Sequence, residues 1–323
     1  MMLSPRTKSA AYPVSAFRND VPSMDLTRRL PQIAAKLGKK ARATGLSAAD
    51  LEDQCPWLCR QIVRDAATPG LLDLWNSSSN FDELAGVAIV EPGVLAAIGE
   101  LAGVSVDGLI VHAGLQHTYG YLLSTIVTPF GYKRDRWVSP RLEQGFGLPS
   151  DILGPNPVEG TLLSNATLFA GLVAFRGDEQ ATRRLRRIAP SAAAPIRKLD
   201  FTHFEHRRIV ETLSPRDSAG RFRSVRIRTD VVPYPCQVGG CVENCLLVYS
   251  IEDSSQPGPR LTTLFPVSPT FVAELTHPNR FGPAVEIRTR FNAFVPGLAG
   301  QTLVGRRTLE EFHRRDRTRP RKM

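Results

Sequence analysis

The chain has 323 residues, of which 42% are hydrophobic and 22% charged, a globular composition that excludes a disordered or fibrous protein. Its formal net charge is +10. The longest apolar runs, such as Leu84 to Val90 and Gly108 to Val111, fall far short of the ~20 helical residues that cross a bilayer, so no membrane partner is expected.

The positive charge is uneven. Residues 1–45 carry nine Lys or Arg against two acids, and residues 301–323 carry eight against three, so the excess sits at the two ends. The expected organisation is a basic, disordered leader at 1–45, a mixed helix and strand region at 46–160, an α+β region at 161–300 and a basic tail at 301–323. Residues 1–23 show no periodicity, which fits a dispensable leader, an organelle transit segment or translation from Met24. The five cysteines, an odd number, accompany no unbroken apolar signal segment. Free thiols and a cytoplasmic location are therefore expected.

In chain order, Ser47 opens a helical segment to residue 67, with Asp50 in its first turn and Leu51, Leu58, Ile62 and Val63 on one face. Pro56 divides that segment into two short helices. A further helix runs from Pro92 to Ala102 and closes at Gly103. From 108 to 138 the Thr, Tyr, Val, Ile and Gly content reads as strands with a turn at Pro129 to Gly131, or as a buried helix over Tyr119 to Val127. Residues 145–160, rich in Gly and Pro, form a long connection, and Thr161 to Phe175 is apolar enough for either helix or strand.

Asp178 to Ile188 and Thr202 to Leu213 read as helices. Phe222 to Val232 and Val285 to Val295 alternate with period two, and Asn244 to Glu252 and Leu261 to Val267 are two more strands joined by the polar turn Asp253 to Arg260. The expected fold class is α+β: N-terminal helices, a mixed central region, and a C-terminal four-stranded antiparallel sheet with covering helices.

The chemistry-bearing residues crowd into His112 to Arg136. His112 and His117 are candidate acid–base groups, Tyr119 and Tyr121 candidate donors or orienting groups, and Lys133, Arg134 and Arg136 candidate anchors for a carboxylate or phosphate. His203 and His206, spaced i,i+3, would share a face if helical, and Cys236, Cys241 and Cys245 could contribute thiolates. Both patterns lack the spacing of a zinc site, so no metal is expected. No phosphate loop, dinucleotide fingerprint or nucleophile elbow occurs, which removes the common nucleotide-driven and serine-hydrolase classes, and no cofactor is expected.

These residues point to a cofactor-independent enzyme acting on a small polar or anionic metabolite by His/Tyr acid–base chemistry. The alternative is an RNA- or polyanion-binding protein using Arg183, Arg184, Arg186 and Arg187, both tails, and Arg226, Arg228, Arg288 and Arg290 if these four share a sheet face.

Overall fold

The computed structural model describes residues 25–83, 85–106, 108–128, 131–134, 140–235, 244–290, 295 and 297–313. Residues 1–24 of the leader, Asp135 to Ser139, Cys236, Cys241 and residues 314–323 lie outside them.

Helix α1 (Asp25–Thr44) occupies 20 residues of the 1–45 segment expected to be a disordered leader. Leu30, Ile33, Ala34 and Leu37, at helical spacing, are buried while the lysines face outward, and that stripe draws the basic segment onto the core. α2 (Ala48–Gln54) starts with a capping box in which Ser47 and Asp50 satisfy each other's backbone N–H groups. Pro56 opens α3 (Pro56–Ala66), where its missing N–H costs nothing. α4 (Pro92–Ala102) ends on Gly103 in the left-handed conformation, as the sequence implies.

Strands β1 (Ser77–Ser79) and β2 (Ile110–His112) pair antiparallel, and β3 (Val127–Thr128) and β4 (Gly131–Tyr132) form a short hairpin. Between the pairs the chain is helical but irregular: a turn at Ala113–Leu115, a π-helical stretch at Gln116–Gly120 and a 3-10 turn at Tyr121–Leu123. Helix α5 (Leu162–Ala174) has all thirteen residues buried and is the central post of the helical layer, which explains an apolar run without periodicity. α6 (Glu179–Ile188) follows, capped by the Asp178 side chain.

The C-terminal half is a six-stranded antiparallel sheet in the order β8-β7-β6-β5-β10-β9, not the expected four-stranded one. Its strands are β5 (His206–Leu213), β6 (Val225–Pro233), β7 (Cys245–Asp253), β8 (Arg260–Val267), β9 (Gly282–Arg288) and β10 (Thr302–Phe312). The two additional strands are β5, within the segment read as a helix, and β10, within the segment read as a basic tail. Both carry long polar side chains on each face, so neither shows apolar alternation.

One face of the sheet takes the helical layer: Val232, Leu246, Val248, Leu261 and Leu264 join α1 to α5 in one continuous core. The other face carries two smaller apolar clusters. One is built around Leu213, Ile227, Ile251 and Ile287, the other around Leu247, Tyr249 and Val272 of α7 (Pro269–Leu275). Among the described residues no helix is long and apolar enough to cross a membrane.

Candidate functional site

Between those two apolar clusters lies a cavity of about 900 Å³. Its floor is the alternate row Ile209, Glu211, Ile227, Thr229 and Tyr249 of β5, β6 and β7, which the antiparallel register brings side by side. Phe271 and Leu275 of α7 form one wall, and the loop from Phe81 to Ile89 forms another.

Hydrogen bonds and an ion pair anchor the described residues of that loop. The Asn80 side chain donates to the Val90 carbonyl (2.7 Å) and accepts from the Val90 N–H (2.9 Å). The Asp82 carboxylate accepts the Ala85 N–H (3.0 Å) through one oxygen and pairs with Lys133 (3.1 Å) through the other. Lys133, delivered by the β3–β4 hairpin, thereby joins the cavity lining.

Most charges in the cavity are matched. Arg307 donates through Nε (2.8 Å) and a terminal nitrogen to one Glu211 oxygen, and Arg288 stands 3.7 Å from Glu83. Arg280, Glu286 and Arg290 have no ion-pair partner among the described residues, and of the three only Arg290 is not exposed. Its guanidinium lies over the Tyr249 ring, 4.6 Å from the centroid, and among the described residues it has no carboxylate within ion-pair distance. Burial pushes its pKa below the ordinary arginine value, against the opposing pull of Glu211 and Glu83. The Tyr249 hydroxyl beneath it is buried and has no hydrogen-bond partner among the described residues. A half-buried cation without a carboxylate beside it and a buried, unsatisfied hydroxyl are each unfavourable without a partner.

The residues expected to carry acid–base chemistry lie behind this cavity. His117 is wholly enclosed: Nδ1–H donates to the Ala113 carbonyl (2.9 Å) and Nε2 accepts the Tyr121 hydroxyl (3.4 Å). Burial lowers its pKa to about 3, with the Lys133 charge adding to the effect. The Lys133 ammonium sits 5.9 Å from the Tyr121 ring centroid, so Tyr121 and His117 buttress the lysine from inside. His112 donates through Nε2 to the Leu72 carbonyl (3.0 Å) and accepts the Leu115 N–H at Nδ1 (3.2 Å), a neutral ring fixed at both nitrogens. Tyr119 belongs to a separate buried knot in which its hydroxyl, Thr161 and Ser164 all donate to Asp65. Arg134 stacks on Tyr132 (4.1 Å) and donates to the Ser124 carbonyl (3.3 Å), outside the cavity lining, and Arg136 lies outside the described residues. Of the expected anchors, the structure brings Lys133 to the cavity and adds Arg290, just past β9, and Arg307 and Tyr249 from the sheet.

The other patterns do not assemble. His203 sits in a 3-10 turn near Asp200, while His206 opens β5 and donates to Asp230 (2.6 Å), so they share no helix face. Among the described residues no group of three His, Cys, Asp or Glu side chains could hold a metal. Cys55, Cys59 and Cys245 are buried free thiols, with burial pushing Cys55 up to about 12. Arg226 and Arg228 line a recess on the opposite sheet face from the cavity that Arg288 and Arg290 line, so the four arginines form no common patch.

No protein-family model, curated protein or solved structure matches this chain.

Proposed function

We propose that this protein binds a small anionic organic molecule in the sheet cavity, a carboxylate or phosphate monoester carried on an apolar or aromatic body. The observation that carries the reading is Arg290, a guanidinium packed on Tyr249 with no carboxylate of its own among the described residues, at a cavity lined by Lys133 and Tyr249. A ligand anion would supply the charge and acceptor that this wall lacks. Ile209, Ile227, Phe271 and Leu275 would take the apolar body. The proposal narrows the small polar or anionic metabolite expected from the sequence to an anion with an apolar body and rests on binding, because the His117 imidazole is enclosed and too weakly basic to take a proton near neutral pH.

The test is thermal-shift and calorimetric titration with a panel of carboxylic acids and phosphate monoesters bearing aromatic or branched aliphatic groups. Arg290→Met and Tyr249→Phe should lose or weaken binding, while His117→Asn keeps it. Replacing an unmatched charge by an apolar side chain of similar reach should also raise the stability of the ligand-free protein, by up to about 1 kcal/mol. A panel without a single binder, together with an Arg290→Met protein less stable than the parent, would remove the reading.

A further inference from the structure

The opposite face of the sheet carries a second feature, independent of the cavity. Where the helical layer ends, β5, β6 and β10 are left uncovered and form a trough of about 550 Å³. The register sets Arg226 of β6, Thr212 of β5 and Arg306 of β10 in one row, and Arg228, Val210 and Thr308 in the next. Thr212 thus lies between two arginines and Val210 between Arg228 and Thr308, with Glu310 farther along the β10 flank. The flanks are two inter-strand spacings apart, roughly 10 Å. That width admits one phosphodiester strand, whereas a duplex would rest on the rims.

The charges in and beside the trough leave a cationic surplus. Arg226 (2.9 Å) and Arg228 (3.0 Å) share the single carboxylate oxygen Glu252 Oε2. Arg306 is exposed and has no carboxylate partner among the described residues. Asp178 lines the end of the trough and caps α6, so the helix starts where the trough stops. Arg183, Arg184, Arg186 and Arg187 of α6 are all exposed, again without an ion-pair partner among the described residues. Arg184 reaches Gly258 in the β7–β8 turn, which places the helix along the same side of the sheet.

We infer that the β5–β6–β10 trough and α6 together form a docking surface for the backbone of single-stranded nucleic acid. Phe312 is covered by Arg176 and Arg208, each 5.1 Å from its ring centroid, and stacks on His206, so it is no free platform for base stacking. Recognition is therefore electrostatic and indifferent to sequence. A flat bilayer is a poor fit, because the Arg228 side chain on the β6 flank is only 14% exposed and recessed from a plane.

The experiment is fluorescence anisotropy of the full chain with labelled 20-nucleotide oligo-U and oligo-dT at several salt concentrations. The logarithm of the affinity should fall linearly with the logarithm of salt, and each arginine removed should flatten that slope by about 0.7. Arg183→Gln with Arg187→Gln tests the helix, and Arg226→Gln with Arg306→Gln tests the trough. Arg226→Lys with Arg306→Lys keeps the charge and should keep the slope, which separates lost contacts from a damaged fold. The inference fails if the Gln variants bind with the parent slope. It also fails if a 20-base-pair duplex binds as tightly with the same arginine dependence, or if anionic vesicles bind and the oligonucleotides do not.

Discussion

His112, His117 and His206 are each held neutral by burial, which lowers their pKa values below the usual histidine range. A histidine whose folded pKa is depressed stabilises the fold above its unfolded pKa and loses that contribution as the pH falls. For His117 the window runs from 6.5 down to about 3. Between pH 7 and pH 5 this one group should remove about 2 kcal/mol of stability, since each unit below 6.5 is worth about 1.4 kcal/mol. Asp65 works in the opposite direction: burial raises its pKa, so its contribution is present at low pH and is lost as the pH rises. The informative quantity is therefore a difference. In His117→Asn the amide can still donate toward the Ala113 carbonyl but does not titrate, so urea unfolding should show an acid slope shallower by about 2 kcal/mol over that interval. An unchanged slope would mean that the imidazole is not enclosed. The basic cluster that marks Lys133 in the sequence lies beside the cavity, whereas burial of His117 and Tyr119 depends on distant neighbours that residue type does not encode. Tyr249 gave no signal, because within β7 it sits in the unbroken buried run from Cys245 to Ile251.

The irregular helix from Ala113 to Leu123 docks on Trp75 through a residue without a side chain. A Cβ on Gly114 would stand 2.7 Å from Trp75 Cγ. The indole cannot swing away, because it is 2% exposed and its Nε1–H donates to Thr167 Oγ1 of α5 at 2.7 Å. Gly114→Ala should therefore destabilise the protein by roughly 1–3 kcal/mol, the usual penalty for overpacking a rigid core. Gly38→Ala in α1 is the matched contrast. Its nearest neighbour would be the flexible Arg42 side chain at 3.5 Å, so the substitution should stabilise by up to about 1 kcal/mol through helix propensity alone. Opposite signs for the two substitutions in thermal melts would support both packings, and a neutral Gly38→Ala would argue against an ordered α1. Helices α2 and α6, with side-chain caps, and α3 and α4, which start on Pro, are readable because those residues act locally. β5 and β10 were not, since each separates the cavity from the trough. Glu211 and Arg307 face one side and Arg208 and Arg306 the other, leaving no apolar periodicity to read.

At the scale of the whole molecule, the core passes from the helices into the sheet without a break. The helical layer is also stitched to β8 by its backbone, with Asn76 N–H donating to the Leu261 carbonyl at 2.7 Å and Ala113 N–H donating to Asn76 at 2.9 Å. α5 has no exposed face, being packed among α3, α6, β6, β7 and β8, so it has no folded state apart from both halves. The division between residues 46–160 and 161–300 drawn from composition cuts through that packing. The helices and the sheet should therefore unfold in one transition. Trp57 and Trp75, both buried in the helical layer, report on that layer through fluorescence, and hydrogen exchange of the β6 and β7 amides reports on the sheet. Coincident urea midpoints for the two signals are expected. Truncation before β10 should lower both midpoints together, since its loss separates β9 from β5 and leaves Glu211 without Arg307. A sheet signal that shifts while the tryptophan signal stays would show two independently stable layers. The cavity, walled by the 81–89 loop on one side and floored by the sheet on the other, would then lack the rigid frame that ligand binding requires.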